Sequence, residues 1–176
     1  MVDLDLSDFI LAERGHPYEF FVVGQVLRHH WGRTITAADS IQFSTSTCAW
    51  NPLYLNREFA RADGHPDLLV NPALLLCTAV GLSVEDLSES GGPFLSVDDV
   101  TFQRSVYPDV TITATSMVED ARLSSSRPDN GIVTWQTTVT DESGATILSF
   151  RRTNLVRRSS STEANATARH DRKGRV

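Results

Sequence analysis

Few side chains in this sequence have the type and spacing to do chemistry. Tyr54 carries a phenol, which ordinarily ionises near pH ~10, so it is a poor base at neutral pH but can donate a proton or a hydrogen bond. His65, in a loop, is an imidazole that can act as a base near neutrality. Cys48 has no lysine or histidine beside it to lower its pKa and reads as a packed thiol rather than a nucleophile. Asn51 and Asn71 each precede a proline, an arrangement in which the amide side chain caps a helix and the proline opens it. His29 and His30 close the first strand and are expected at the surface. Of Asp98, Asp99 and Arg104, the last two are expected to tie strand ends and loops together by ion pairing. No set of histidines, cysteines and carboxylates has metal-ligand spacing, so neither a metal nor a dissociable cofactor is expected.

The elements that must position these groups follow from periodicity. Residues 3–14 form an amphipathic helix with Leu4, Phe9, Ile10 and Leu11 on one side, ended by Gly15-His16-Pro17. Residues 20–30 read as one strand with a bend at Gly24. Thr36 and Asp39 make a capping box for a helix running through Ile41 and Phe43, which Asn51-Pro52 breaks. A further helix spans Arg57 to Asp63 and stops at Gly64. Asn71-Pro72 then opens LLVNPALLLCTAVGL, apolar on every side up to Leu82, a pattern that predicts burial all round. Beyond Gly91-Gly92-Pro93 the period changes to two, with strands over 94–104, 109–121, 131–141 and 145–157 and a hairpin at Glu142-Ser143-Gly144. One buried helix and a run of long antiparallel strands leave a single arrangement: an α+β hot-dog domain, in which a curled sheet wraps one central helix. The uncovered side and edge of such a small sheet predict dimerisation.

Composition bounds what such a domain can do. The chain has 176 residues, 40% hydrophobic and 22% charged, the size of one domain over residues 1–156 with a basic, disordered tail over 157–176. No apolar run approaches the ~20 residues that span a bilayer, and the acidic start MVDLDLSDF is unlike a secretory signal, so a cytoplasmic protein is expected. The two cysteines are too few for a disulfide framework or a zinc cage, and both lie in segments expected to be buried or half-buried. Residues 1–156 carry 10 basic against 20 acidic residues, a balance that repels phosphate backbones and argues against nucleic-acid binding.

A family resemblance rests on particular residues. Arg33-Thr34-Ile35-Thr36 with Asp39, Phe43, and then Thr47 through Tyr54 (TCAWNPLY) resembles the hydratase motif of the MaoC-like (R)-specific enoyl-thioester hydratases. Glu58-Phe59-Ala60-Arg61, Leu69-Val70-Asn71, Val100-Thr101-Phe102 and Val106-Tyr107-Pro108 extend the likeness over about residues 20–156. Gly81-Leu82-Ser83-Val84 leans toward the branch acting on short branched dicarboxylic acyl-CoAs such as mesaconyl-CoA. The resemblance implies a hot-dog fold and a tunnel for an acyl-CoA or acyl-carrier-protein thioester, or a related small molecule. It also implies water addition or removal by an aspartate and a histidine five residues apart, with an enolate-stabilising N–H at the start of the hot-dog helix.

At all three places this sequence departs from the family. Ala49 stands at the aspartate position, Tyr54 at the histidine position, and Pro72, which has no N–H, where a glycine is usual. Such groups act as a unit, so their joint loss argues against ordinary hydration. The candidate catalytic residues are then Tyr54 and His65, the latter the one histidine expected near the pocket; Cys48, Ala49, Trp50, Asn51, Asn71 and Pro72 are the candidate substrate contacts. Three functions follow. The first, which a pocket rebuilt with Trp50 and Tyr54 favours, is altered lyase, isomerase or cyclase chemistry on an acyl thioester or polyketide-like compound. The second is a non-catalytic subunit, in a homodimer or paired with an active hot-dog paralogue. The third is ordinary hydration through other residues.

Overall fold

The computed structural model describes residues 14–159. The helix expected over 3–14 and the tail beyond Ser159 lie outside the described residues. A 3₁₀ turn over Tyr18–Phe20 is followed by two short strands, β1 (Val26–Arg28) and β2 (Arg33–Ile35). Helices α1 (Ala37–Ser46), α2 (Pro52–Leu55), α3 (Arg57–Ala62), α4 (Pro72–Leu82) and α5 (Val84–Leu87) come next. Four long strands then complete the chain: β3 (Phe94–Phe102), β4 (Val110–Leu123), β5 (Asn130–Thr140) and β6 (Thr146–Arg157). The strands pair antiparallel in the order β1-β4-β5-β6-β3, and β2 pairs with the first part of β4.

The sheet buries one face by strict alternation. Ile112, Ala114, Ser116 and Val118 of β4, and Val133, Trp135, Thr137 and Val139 of β5, point inward, as period-two side-chain geometry requires. Ile35, Leu75, Ala79, Ile112, Leu148 and Phe150 form one core cluster, in which α4 lies across the concave face. Phe21, Leu87, Val118, Val133, Trp135 and Val156 form a second, further along the same sheet. There Tyr18 packs directly over Gly131, where a Cβ would fall 1.9 Å from the tyrosine ring.

Most boundaries follow the sequence pattern. Thr36 and Asp39 form a reciprocal capping box, with the Asp39 N–H on Thr36 Oγ1 at 3.2 Å and the Thr36 N–H on Asp39 Oδ2 at 2.9 Å. Two expectations need correction. The strand expected over residues 20–30 shrinks to β1, because Gly24 adopts φ 86° and residues 22–25 fold into a turn closed by Gln25 N–H on Val22 O. α4 is not covered on every side: Leu75 and Ala79 are buried, but Ala73, Cys77 and Gly81 form an exposed stripe at i, i+4 spacing. That stripe stays exposed among the described residues. Among the described residues no helix is long and apolar enough to cross a membrane.

Candidate functional site

The segment joining α1 to α2 carries several candidate residues and turns most of them outward. α1 closes at Thr47, and Cys48 then adopts φ 57°, allowing Ala49 N–H to donate to Ser44 O at 2.8 Å. That left-handed turn leaves the Cys48 thiol exposed rather than packed. Ala49 is half-buried and Trp50 is 71% exposed. Asn51 Oδ1 accepts the Leu53 N–H at 3.0 Å and so starts α2, with Pro52 in its first turn.

α2 sets Tyr54 against the start of α4 and the end of β3. Between them lies a cavity of about 330 Å³ whose walls include Tyr54, Leu69, Pro72, Leu75, Phe102 and Arg104. The structure thus brings Tyr54 and Pro72 together. It does not bring His65 to them: the imidazole is absent from the lining, with Nδ1 3.1 Å from Tyr107 Oη and Nε2 3.7 Å from Asp63 Oδ2. Cys48, Ala49, Trp50, Asn51 and Asn71 are also outside the lining.

The beginning of α4 has no amide to spare. Asn71 is buried; its Oδ1 accepts the Ala73 N–H at 3.0 Å, its Nδ2 donates to Ser44 Oγ at 3.0 Å, and its own N–H donates to Ser40 Oγ at 3.0 Å. Pro72 has no N–H. Leu74 and Leu75 N–H both reach Asn71 O, at 3.0 and 3.3 Å. A helix start normally leaves its first donors free, which is what makes it an anion site. Here one donor does not exist and the next three are engaged. The cavity walls offer a phenol, a hydroxyl from Ser105 and a guanidinium, with no carboxylate or imidazole among them. That set can hold an acyl group and hydrogen-bond its oxygens, but it lacks a base to activate water.

A second concavity runs along the exposed side of α4. It measures about 400 Å³ and is lined by Trp31, Phe43, Leu74, Cys77, Thr78 and Leu82, among others. Cys77, expected buried or half-buried, is exposed here because it lies on the uncovered stripe.

His29 is also corrected. It is only 5% exposed; Nδ1 meets Asp86 Oδ2 at 2.6 Å and Nε2 meets Ser116 Oγ at 2.8 Å, and Ser116 in turn meets Thr137 Oγ1 at 2.8 Å. The sequence held a signal for this, since His29 is two residues past half-buried Leu27 and so shares its face. Arg152, not considered from sequence, is 2% exposed on β6. It donates to Asn154 Oδ1, Ser83 Oγ and Ser88 Oγ at 2.9, 2.8 and 2.5 Å, and burial holds its pKa down at about 10. The expected ion pairs are present, with Asp99 on Arg151 at 2.7 Å and Arg104 on Asp141.

The chain is similar to proteins of known kind. A family model described as mesaconyl-CoA hydratase matches residues 4–175. The mesaconyl-CoA hydratase of Haloarcula marismortui is 41% identical over 174 residues, which is 97% of this chain and 48% of that protein. The chain therefore spans about half the length of the curated relatives it matches. Among solved structures, the monoamine oxidase regulatory protein from Archaeoglobus fulgius superposes with a TM-score of 0.74 at 24% identity, covering 85% of this chain and 99% of that one. A Mycobacterium tuberculosis protein described as having a double hot-dog fold gives 0.70 at 22% identity, covering 82% and 45%. The fold is the hot-dog arrangement that the pattern of strands and one central helix predicted.

Proposed function

The chain belongs to the mesaconyl-CoA hydratase family, and on that footing we propose that it is one hot-dog unit of a two-unit acyl-CoA hydratase. In this reading it walls the acyl tunnel while the other unit carries the Asp/His pair. The observation that carries it is the uncovered face of α4. A helix apolar on all sides exposes Ala73, Cys77 and Gly81 beside a groove that is mostly apolar but also lined by Arg33 and Glu85, and leaving the apolar part of such a surface in water forfeits roughly 25 cal/mol for every Å² that a partner would bury. Two further features agree. The chain matches half of its 41%-identical relative, and Ala49, Tyr54 and Pro72 stand where proton transfer and oxyanion stabilisation would be needed.

Assembly tests this reading. Mixed with a hot-dog protein that has the intact Asp/His motif, the chain is expected to form a complex in which a thiol reagent reaches Cys48 but no longer Cys77. Mesaconyl-CoA hydration should appear only in that complex. Equal reactivity of Cys77 in the free and mixed protein, with no gain of hydration, would count against it.

Altered chemistry is a second reading, favoured by one observation: Tyr54 faces a cavity next to Arg104 and Ser105 instead of filling the core. Under it, the phenol donates a proton or a hydrogen bond to an acyl oxygen, and Tyr54→Phe lowers turnover of the true substrate at least about tenfold.

A further inference from the structure

The described chain begins at one end of the groove along α4, and its start is anchored. Arg14 Nη1 meets Glu89 Oε1 at 3.1 Å, Ser90 Oγ donates to His16 O at 2.9 Å, and the His16 ring stacks on Phe20 with centroids 3.7 Å apart. Arg14 and Gly15 help wall a concavity of about 540 Å³ together with Gly81, Val84 and Glu85. Gly81 and Glu85 also wall the groove of about 400 Å³ that continues past Cys77 to Leu74. The two hollows therefore adjoin, and residues 1–13 enter the fold at their common wall. In the wall of the groove Trp31 is 60% exposed and the Cys77 thiol is exposed.

Residues 1–13 carry Leu4, Leu6, Phe9, Ile10 and Leu11, side chains that gain by leaving water. From Gly81 back to Leu74, α4 rises about 10 Å. The stretch between Phe9 and Arg14 covers more than that when extended, at roughly 3.3 Å per residue, and residues 1–13 span about 20 Å as a helix. Either form reaches the length of the groove. Charge does not decide the matter, since Arg33 in the groove wall favours Asp3, Asp5 and Asp8 while Glu85 opposes them. Tethering does. A segment held at the rim acts at roughly millimolar effective concentration, so it outcompetes an equally well-fitting second copy at micromolar protein. We propose that residues 1–13 dock in this groove through Phe9, Ile10 and Leu11, covering Cys77 in the free unit, and that a second hot-dog unit must displace them to assemble. The docking is independent of the two-unit reading proposed above; the displacement rests on that reading and adds to it a regulator carried by this chain.

The test uses the full chain carrying Cys48→Ser, in which Cys77 is the remaining thiol. Phe9→Asp combined with Ile10→Asp should raise the rate at which Ellman's reagent modifies Cys77 at least about tenfold, as loss of a protecting contact does. Asp3→Asn should leave that rate within about twofold. In the same background Phe9→Cys should form a disulfide with Cys77 inside one chain under mild oxidation by diamide. Equal thiol rates with and without the double substitution, absence of that crosslink, or protection that grows with protein concentration and so reports a second copy, would each overturn the docking and leave the two-unit reading standing. A hot-dog protein with the intact Asp/His motif should bind the doubly substituted chain more tightly than wild type by about the factor seen in the thiol rate, because docking leaves only that fraction of chains competent. Equal, measurable affinities would overturn the displacement. Binding to neither chain would overturn the two-unit reading and leave the docking to stand on the thiol rates.

Discussion

Replacing Asn71 with alanine isolates the device that builds the start of α4. The asparagine does two jobs at once. Its Oδ1 caps the helix on Ala73 N–H, and its Nδ2 satisfies the hydroxyl of Ser44, which is fully buried. Losing the cap costs about 1 kcal/mol. Leaving a buried hydroxyl without its partner costs about 1–3 kcal/mol more, so Asn71→Ala should destabilise the fold by about 2–4 kcal/mol. For a domain of this size that lowers Tm by roughly 5–15 °C. Asn51→Ala is the matched control. It removes the same kind of cap, from Leu53 N–H, but its site is exposed and its amide nitrogen satisfies nothing buried; it should cost no more than about 1 kcal/mol. Urea unfolding followed by tryptophan fluorescence reads both, with the slope expected to stay constant. Equal losses for the two variants would refute the assignment of Asn71 as the buried bracket between α1 and α4.

Three more perturbations follow from the same geometry. His29→Ala strips a partner from Asp86 and from buried Ser116, and should lower unfolding free energy by about 2–4 kcal/mol in the same assay; a loss below about 0.5 kcal/mol would mean that the network is solvated. Glu19 is desolvated, which raises its pKa, but hydrogen bonds from Ser159 and Arg158 outweigh this and hold it at about 2, below the ordinary 4.5. Because the folded value is depressed, the stability this carboxylate adds is full above pH 4.5 and is lost as pH falls toward 2. Glu19→Gln should therefore flatten the acid limb of a stability–pH curve, and an unchanged limb would remove Glu19 from that role. Gly81→Glu places a charge on the uncovered stripe of α4, and should abolish association with a second hot-dog unit without moving Tm by more than about 2 °C; persistent association measured by light scattering would place the interface elsewhere.

Local signals made much of this molecule legible. Asn71-Pro72 followed by an apolar run could only open a helix, and alternation marked β3 to β6 within two residues of their ends. The parts that sequence concealed depend on distant partners. β2 exists because Arg33, Thr34 and Ile35 meet Ile112, Thr111 and Val110 of β4, a pairing that no property of a three-residue stretch announces. Arg152 is an arginine at a core-facing strand position, tolerable only because Ser83 and Ser88, some seventy residues earlier, turn their hydroxyls onto it. The uncovered stripe of α4 was invisible for a different reason: a helix apolar all round looks the same whether its own chain or another unit covers the last side. At the site, the sequence offers Tyr54 and Pro72 as candidate residues and Arg104 as an ion-pairing one. It is one, but it is also part of the cavity wall, and only the fold reveals both.

The central proposal is that the cavity of this unit lacks a base able to activate water. The most direct measurement is the rate at which the purified chain alone hydrates mesaconyl-CoA, followed by loss of the enoyl absorbance. The account predicts no rate above the buffer blank. Turnover in the ordinary enzymatic range of about 1–1000 per second would contradict it, and would mean that Tyr54 and its neighbours suffice to activate water.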